Sequence, residues 1–428
     1  MIERVMIAGG GTGGHLFPGI AVVEELRRRN VGLDVTYVGT ERGIEARVIP
    51  GMGDRLELLD VSPLKGNDVA GFMKSLMKLP GAWSRAITVL REVEPEVVIG
   101  VGGYASGPML LAAASLGIPT ALMEQNAQVG LTNRMLAPVV GRAYLTFEDT
   151  AAHFGSKARV VGNPVRRAFV DAARLALSDP DAFELRARRV LILGGSQGAK
   201  ALNEKLPEAL AKAGLGERGI EVMHQTGVSM QAEVEARYEA LGLRAEVVAF
   251  IDDMARAYTN SQLVIARAGA TTLAEICAIG RPSILVPYPH AADDHQTKNA
   301  EALERVGAAI AIRQDALDDE HLVNEINTLL DDCEKRSAMA SAAREQGRPD
   351  AAAAIVDDLV SWLGRPTITP ARIPTIPPPR HDPEPGMAFA RIDFRGGRNG
   401  IEVRRSSGPP TPLAHFEPDL ARWASRSS

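Results

Sequence analysis

The sequence predicts an α/β protein made of two domains, each with a parallel sheet. Two glycine-rich turns and a steady alternation of strand and helix patterns carry this prediction. The first turn, Gly9-Gly10-Gly11-Thr12-Gly13-Gly14-His15, follows the apolar run Val5-Met6-Ile7-Ala8. The second, Gly194-Gly195-Ser196-Gln197-Gly198-Ala199, follows Val190-Leu191-Ile192-Leu193. Each reads as a buried strand, a tight turn and a helix start. Outward-pointing N–H groups and the helix dipole make such a place favourable for phosphate. Two of them, half a chain apart, point to paired domains closing on a phosphorylated ligand.

In the first half, short apolar runs at 5–8, 35–38, 97–101, 120–123 and 143–146 read as strands. Helical patterns such as 21–29 lie between them, and the βαβα order argues for a parallel sheet. The second half repeats the plan with strands at 190–193, 222–225, 247–250, 263–266, 284–286 and 309–312, and helices such as 273–279 and 299–306. The turn Gly162-Asn163-Pro164 marks the boundary, and 350–363 reads as a last amphipathic helix. Beyond it the character changes. Residues 365–428 hold 12 of the 27 prolines, ten arginines and six acidic residues, so this tail is positive while the body is negative. It keeps no apolar periodicity and reads as disordered. It is either a solvated appendage or a segment that binds an acidic partner or an anionic membrane.

Composition limits the function classes. A length of 428 residues allows two or three domains, and 24% charged with 45% hydrophobic residues is ordinary for a soluble enzyme. A net charge of −5 gives no global reason to expect nucleic-acid binding. Two cysteines, Cys277 and Cys333, exclude a disulfide framework and suit a reducing cytoplasm. No signal peptide is read at the N-terminus. The most apolar stretch, 109–122, contains Gly117 and Pro119 and falls short of the about 20 apolar residues a bilayer span needs.

Several motifs can carry chemistry. Gly9-x-Gly11-x-x-Gly14 matches a dinucleotide fingerprint, but the second strand ends at Gly39-Thr40-Glu41, where Glu41 is a poor candidate for holding a ribose. His15 falls at a helix start, where the dipole disfavours imidazolium, and a neutral imidazole can act as a general base. Glu124-Gln125-Asn126 ends a strand, where open α/β sheets bind ligands. Arg267-Ala268-Gly269-Ala270-Thr271-Thr272 joins another strand to a helix. Glu275, one turn further, is placed either to accept both hydroxyls of a ribose or simply to favour the dipole. Asp293-Asp294-His295-Gln296 reads as a capped helix start more readily than as a metal site, and Asp179-Pro180-Asp181 as a polar linker. On 65–91, Phe72, Leu76, Leu79 and Trp83 share one helical face, with a kink or break expected at Pro80. Lys65, Lys74, Lys78, Arg85 and Arg91 surround that face, so it packs either on the core or on an anionic membrane surface.

Taken together, these motifs resemble the MurG family of peptidoglycan glycosyltransferases. The resemblance rests on residues 9–19 (GGGTGGHLFPG), 102–108 (GGYASGP), 124–133 (EQNAQVGLTN), 162–166 (GNPVR), 194–199 (GGSQGA), 250–255 (FIDDMA) and 267–275, in order over about 1–363. It implies a GT-B fold, with two Rossmann-like domains facing across a cleft. Residues 1–162 would form the acceptor- and membrane-binding domain and 163–349 the UDP-GlcNAc-binding domain. Residues 350–363 would cross back to the first domain, leaving 364–428 as the tail.

The implied reaction moves GlcNAc from UDP-GlcNAc to lipid I (undecaprenyl-diphospho-MurNAc-pentapeptide) with inversion, giving lipid II. The implied donor contacts are Thr12, Gly13, Gly14, Asn126, Arg166, Ser196, Ile251, Ala270, Thr271, Thr272, Leu273, Ala274, Glu275 and Gln296. His295 stands where the family has a first glutamine. His15 is expected as the base, Asn126 as an orienting residue, and the first glycine turn as the seat of the acceptor diphosphate. Phe72, Leu76, Leu79 and Trp83 become the membrane patch of a peripheral protein on the cytoplasmic face. Cell-wall and division proteins are expected partners; a metal, a cofactor and nucleic acid are not expected. Other enzymes of the fold (a UDP-GlcNAc 2-epimerase, a diacylglycerol glycosyltransferase), a non-catalytic UDP-sugar sensor and an NAD oxidoreductase are the competing readings.

Overall fold

The strands that the sequence makes most apolar lie at the centres of two separate parallel sheets. The structure, a computed structural model, describes residues 1–61, 69–178, 188–195, 198–291, 294–317 and 319–364; for 69–79 and 319 it describes the backbone path alone. The chain begins with β1 (Arg4–Gly9), α1 (Gly13–Arg29), β2 (Asp34–Gly39), α2 (Glu45–Met52), β3 (Arg55–Leu58), α3 (Val69–Val93) and β4 (Val97–Gly102). It continues through α4 (Ser106–Ser115), β5 (Thr120–Glu124), α5 (Leu131–Leu136), β6 (Arg142–Leu145) and β7 (Ala158–Val160). These strands pair in the order β3-β2-β1-β4-β5-β6-β7. Every position of β4 is buried, as expected for a parallel strand covered by helices on both faces.

The second sheet follows α6 (Arg167–Ser178). Its elements are β8 (Arg189–Leu193), α7 (Lys200–Lys212), β9 (Glu221–Gln225), α8 (Gln231–Ala240), β10 (Ala245–Val248), α9 (Met254–Thr259), β11 (Ser261–Ala266) and α10 (Ala270–Ile279). They continue with β12 (Ser283–Leu285), α11 (His295–Arg305), β13 (Ile310–Ala311), α12 (Asp319–Asp331), α13 (Cys333–Gln346) and α14 (Ala351–Trp362). The strand order is β10-β9-β8-β11-β12-β13. Both sheets therefore reverse direction of winding beside their first strand, between β1 and β4 and between β8 and β11. Such reversals open crevices at the carboxyl ends of the strands. Both glycine turns sit there.

The sequence expectations for the central strands hold to within a residue or two. Two edge strands escaped them: β3 and β7 are short and only partly buried, so they carry no apolar run. Helix α3 runs on through Pro80 without a break; beyond that residue Ala82, Ala86, Val89 and Leu90 are buried and hold it against the sheet. Asp179-Pro180-Asp181 and the tail 365–428 lie outside the described residues.

Helix α14 packs on the first sheet. Ile355, Val356, Leu359 and Val360 join the core formed by Ile7, Ile20, Val23 and Val97. Asp358 fixes the docking by accepting from Arg142 at 3.0 Å, from Tyr144 at 2.9 Å and from Arg159 at 3.1 Å. The Arg142 guanidinium also stacks on Trp362, 4.9 Å from its ring centre. Removing the carboxylate leaves two half-buried guanidinium groups and a buried phenol short of an acceptor. Asp358→Ala should therefore lower unfolding free energy by about 1–3 kcal/mol in urea titrations, and an unchanged midpoint would show that the apolar face alone docks the helix.

Candidate active site

The first glycine turn is shaped by close backbone approaches that only glycine permits. Gly9, Gly10 and Gly11 all have positive φ. A Cβ on Gly9 would lie 2.0 Å from the Gly102 carbonyl oxygen at the end of β4, and the Gly10 N–H donates to that same oxygen at 3.0 Å. The turn leads straight into α1, whose first N–H groups have no partner within the helix. Thr12 is the N-cap, without a side-chain cap bond, and Gly13 and Gly14 follow.

His15 lies over the end of β4. A Cβ on Gly102, which has φ +96°, would come within 2.7 Å of the imidazole, so glycine there makes room for the ring. Nδ1 lies 3.3 Å from the Thr12 hydroxyl. Burial lowers the proton affinity of the ring below that of an ordinary histidine. Glu124 and Glu45 act in the opposite direction, and His295 from α11 adds to the lowering. A neutral imidazole on a helix N-terminus at neutral pH is the state a general base needs.

Glu124, at the end of β5, is the centre of a buried polar array. It accepts from the Asn126 N–H at 3.1 Å, the Gly130 N–H at 2.9 Å and Asn133 Nδ2 at 2.9 Å. Asn126 Nδ2 donates to it at 3.3 Å. The array reaches the other sheet through Asn299 of α11. Asn299 Oδ1 accepts the Ala127 N–H at 3.0 Å, while its Nδ2 donates to Asn126 Oδ1 at 3.4 Å and the Ala268 carbonyl at 3.2 Å. Asn299 was missed in the sequence reading. Its one legible sign is its place one turn after Gln296 on the same helix.

The second sheet contributes α10, which starts at Gly269 without a side-chain cap. The Thr271 hydroxyl donates to the Gly14 carbonyl at 3.0 Å, so the N-terminal turns of α1 and α10 touch. Glu275 stands one turn inside α10, buried, with its Oε1 3.6 Å from Arg166 Nη2. The Arg166 guanidinium lies between Phe17 of α1, at 4.7 Å, and Phe169 of α6, at 5.4 Å. Burial pushes the Glu275 carboxyl up to about 7 despite the nearby arginine. Ile251 is buried, and its neighbour Phe250 carries the Arg47 guanidinium of α2 at 5.7 Å. Gln296 is engaged through Oε1, which accepts the Tyr288 N–H at 3.0 Å.

Arg267 serves structure. It donates to the carbonyls of Val286 and Pro287, both at 3.1 Å, and to Gln314 at 2.7 Å. Asp294 caps α11 in a left-handed conformation and accepts from the Thr297 hydroxyl at 2.7 Å. Among the described residues no cluster of His, Cys, Asp and Glu is arranged to hold a metal. Ser196 lies outside the described residues. The second glycine turn is described on both sides of it: a Cβ on Gly198 would meet the Thr226 carbonyl oxygen at 2.0 Å, while Gly195 faces open space.

This geometry has counterparts among known proteins. Residues 5–145 match the glycosyltransferase family 28 N-terminal domain and residues 189–355 the glycosyltransferase family 28 C-terminal domain. The chain is 48% identical over 379 residues to the "UDP-N-acetylglucosamine--N-acetylmuramyl-(pentapeptide) pyrophosphoryl-undecaprenol N-acetylglucosamine transferase" of Sorangium cellulosum, covering 87% of this chain and 91% of that one. The crystal structure of Acinetobacter baumannii MurG superposes with a TM-score of 0.66 at 34% identity, over 84% of this chain and 99% of that one. The chain belongs to the MurG group of glycosyltransferase family 28. The UDP-GlcNAc 2-epimerase of Neisseria meningitidis, at 14% identity and a TM-score of 0.58 over 84% of this chain and 100% of that one, shares the fold alone.

For this MurG-group chain, the family resemblance proposes donor contacts on both rims of one cleft: Thr12, Gly13, Gly14 and Asn126 on the first, and Arg166, Ile251, residues 270–275 and Gln296 on the second. Glu275 yields a prediction with a definite sign. Its folded value lies above its ordinary 4.5, so between pH 4.5 and 7 the unfolded chain gives up this proton first. The residue thus costs stability increasingly as pH rises, and fully above pH 7. Glu275→Gln should be more stable than the parent by about 1–3 kcal/mol at pH 8 and nearly equal to it at pH 5. A gain of the same size at both pH values would contradict this account.

Proposed function

We propose that this chain transfers GlcNAc from UDP-GlcNAc to the 4-hydroxyl of MurNAc in lipid I, forming the β-1,4 bond of lipid II. The observation that carries the reading is the contact between the N-terminal turns of α1 and α10, with His15 on one side of it and Arg166 and Glu275 on the other. His15 stands on the N-terminal turn of α1, and the Thr271 turn of α10 abuts it, with Arg166 and Glu275 behind. What the Sorangium relative is named for supplies the two substrates.

The reaction is one inverting displacement. UDP lies on the second sheet, with the ribose against Glu275, the uracil near Ile251 and Arg166, and the diphosphate at the second glycine turn by Ser196. His15 takes the proton of the acceptor 4-hydroxyl as that oxygen bonds to the anomeric carbon from the opposite face. The bond from the anomeric carbon to the β-phosphate oxygen breaks, and its electron pair leaves with UDP. The N–H groups at the glycine turn and helix starts stabilise the growing charge. Asn126, held by Glu124 and Asn299, orients donor and acceptor.

The domain roles follow: 1–162 for the acceptor, 163–349 for the donor, 350–363 as the strap between them and 364–428 as an appendage. Among the described residues no helix is long and apolar enough to cross a membrane. We place the protein peripherally on the cytoplasmic face, through the α3 patch. Trp83 is 39% exposed, and Leu111 on α4 is exposed as well. The side chains of Phe72, Leu76 and Leu79 lie outside the described residues. Enzymes and division proteins of the cell wall are the partners this placement would bring within reach.

The test is transfer of radiolabelled GlcNAc from UDP-GlcNAc to a lipid I analogue, with EDTA and with acceptor omitted as controls. Label should enter the lipid fraction only with acceptor. Label released as free sugar without acceptor would favour an epimerase, and UDP-GlcNAc binding without transfer a sensor. His15→Ala should slow turnover by about 10²–10⁴-fold while UDP binding is kept; unchanged turnover would remove His15 from the mechanism. Trp83→Glu should weaken binding to vesicles containing anionic lipid by about tenfold and leave transfer to a soluble acceptor unaltered. Equal vesicle binding would take the α3 face out of the membrane contact.

A further inference from the structure

One buried carboxylate packs into the first glycine turn from α2 and touches neither substrate in the proposed reaction. Glu45, at the start of α2, is 1% exposed. Its Oε2 accepts the Gly11 N–H at 2.7 Å. Its Oε1 accepts the Thr40 N–H at 2.8 Å and the Thr40 hydroxyl at 3.1 Å. Three glycines make room for it: a Cβ on Gly10, Gly39 or Gly43 would stand 2.4, 2.2 or 2.1 Å from its side chain. Among the described residues no Lys, Arg or His forms an ion pair with it. Its charge is met by backbone N–H groups and by the start of α2, where the dipole favours an anion. The Gly11 N–H is thus occupied from within, and the Gly10 N–H by Gly102. Thr12, Gly13 and Gly14 are left as the donors of this turn that can face a substrate.

We infer that Glu45 is a positioning residue for the transfer reaction: it fixes the Gly10-Gly11 turn that carries His15 and balances the positive charge His15 gains on taking the acceptor proton. The inference rests on His15 as the base. The groups that act on the His15 charge are Glu124 from β5, His295 from α11, Glu45 from α2, and the Thr12 hydroxyl and Gly10 backbone of its own turn. Glu45 and Glu124 favour the imidazolium; burial and His295 oppose it. Removing the Glu45 charge makes His15 a weaker base even where the turn keeps its shape.

The experiment is the pH dependence of kcat/KM for the full chain with UDP-GlcNAc and a lipid I analogue, with UDP affinity measured in parallel. Glu45→Gln is expected to move the acid limb to lower pH by about half a unit and to lower the plateau by up to about threefold, with UDP affinity kept. Gly43→Ala, whose methyl displaces the carboxylate without deleting it, should shift the limb in the same direction and serves if Glu45→Gln folds poorly. In His15→Ala the limb should vanish. If it persists there, the base assignment fails and this inference with it. If it vanishes in His15→Ala but stays put in a folded Glu45 or Gly43 variant, the role of Glu45 alone is overturned. A loss of activity with an unmoved limb likewise overturns it, since a merely structural residue of the turn would act that way.

Discussion

The N-terminal turns of α1 and α10 meet across the cleft, and the arrangement of the site depends on that contact. Helix α1 leaves the carboxyl end of β1 and α10 that of β11, and both strands stand beside a reversal of sheet order. The Thr271 hydroxyl on the Gly14 carbonyl ties the two turns together. Glycine is required behind the first turn, because a Cβ at Gly9 would collide with the Gly102 carbonyl and one at Gly102 with His15. In the proposed reaction the base stands on the first turn and most donor contacts on the second sheet, so neither half of the protein would hold the whole machinery.

The polar residues between the sheets keep this geometry at some cost. Glu124, Asn126 and Asn299 form a continuous hydrogen-bonded path from β5 to α11. Glu45 fills the turn behind His15. Glu275 is buried beside a single arginine at 3.6 Å, which satisfies its charge incompletely. A carboxylate placed to receive a ribose is poorly solvated until the ribose arrives, and burial accordingly raises its proton affinity. If Glu275 receives the ribose as proposed, stability is given up there to keep an acceptor of hydrogen bonds ready. Helix α14 counters this from the far side by locking the return of the chain through Asp358 and an apolar face.

Much of this was legible in the sequence because the informative features are local. Strands at 5–8, 97–101, 190–193 and 263–266 are continuous apolar runs since parallel strands are buried on both faces. His15 stood out because it follows a glycine turn directly. Glu45 and Asn299 did not, for their partners lie 34 and 172 residues away, and only the strand order brings them together. Glu41, considered for a ribose, is exposed, while Glu45 four residues later is the carboxylate that turns inward. The expectation that the first glycine turn would seat the acceptor diphosphate is narrowed by that inward carboxylate, which takes one of its N–H groups.

The proposed site is split, with the base on the first sheet and the donor on the second. A crystal structure of the protein with UDP-GlcNAc and a soluble acceptor analogue tests that division most directly. It should show UDP seated on the N-terminal turn of α10, with the ribose on Glu275. It should also show the His15 imidazole within about 2.6–3.2 Å of the acceptor 4-hydroxyl, directly or through one water. A hydroxyl bonded instead to Glu124 or another carboxylate, with His15 turned away, would contradict it.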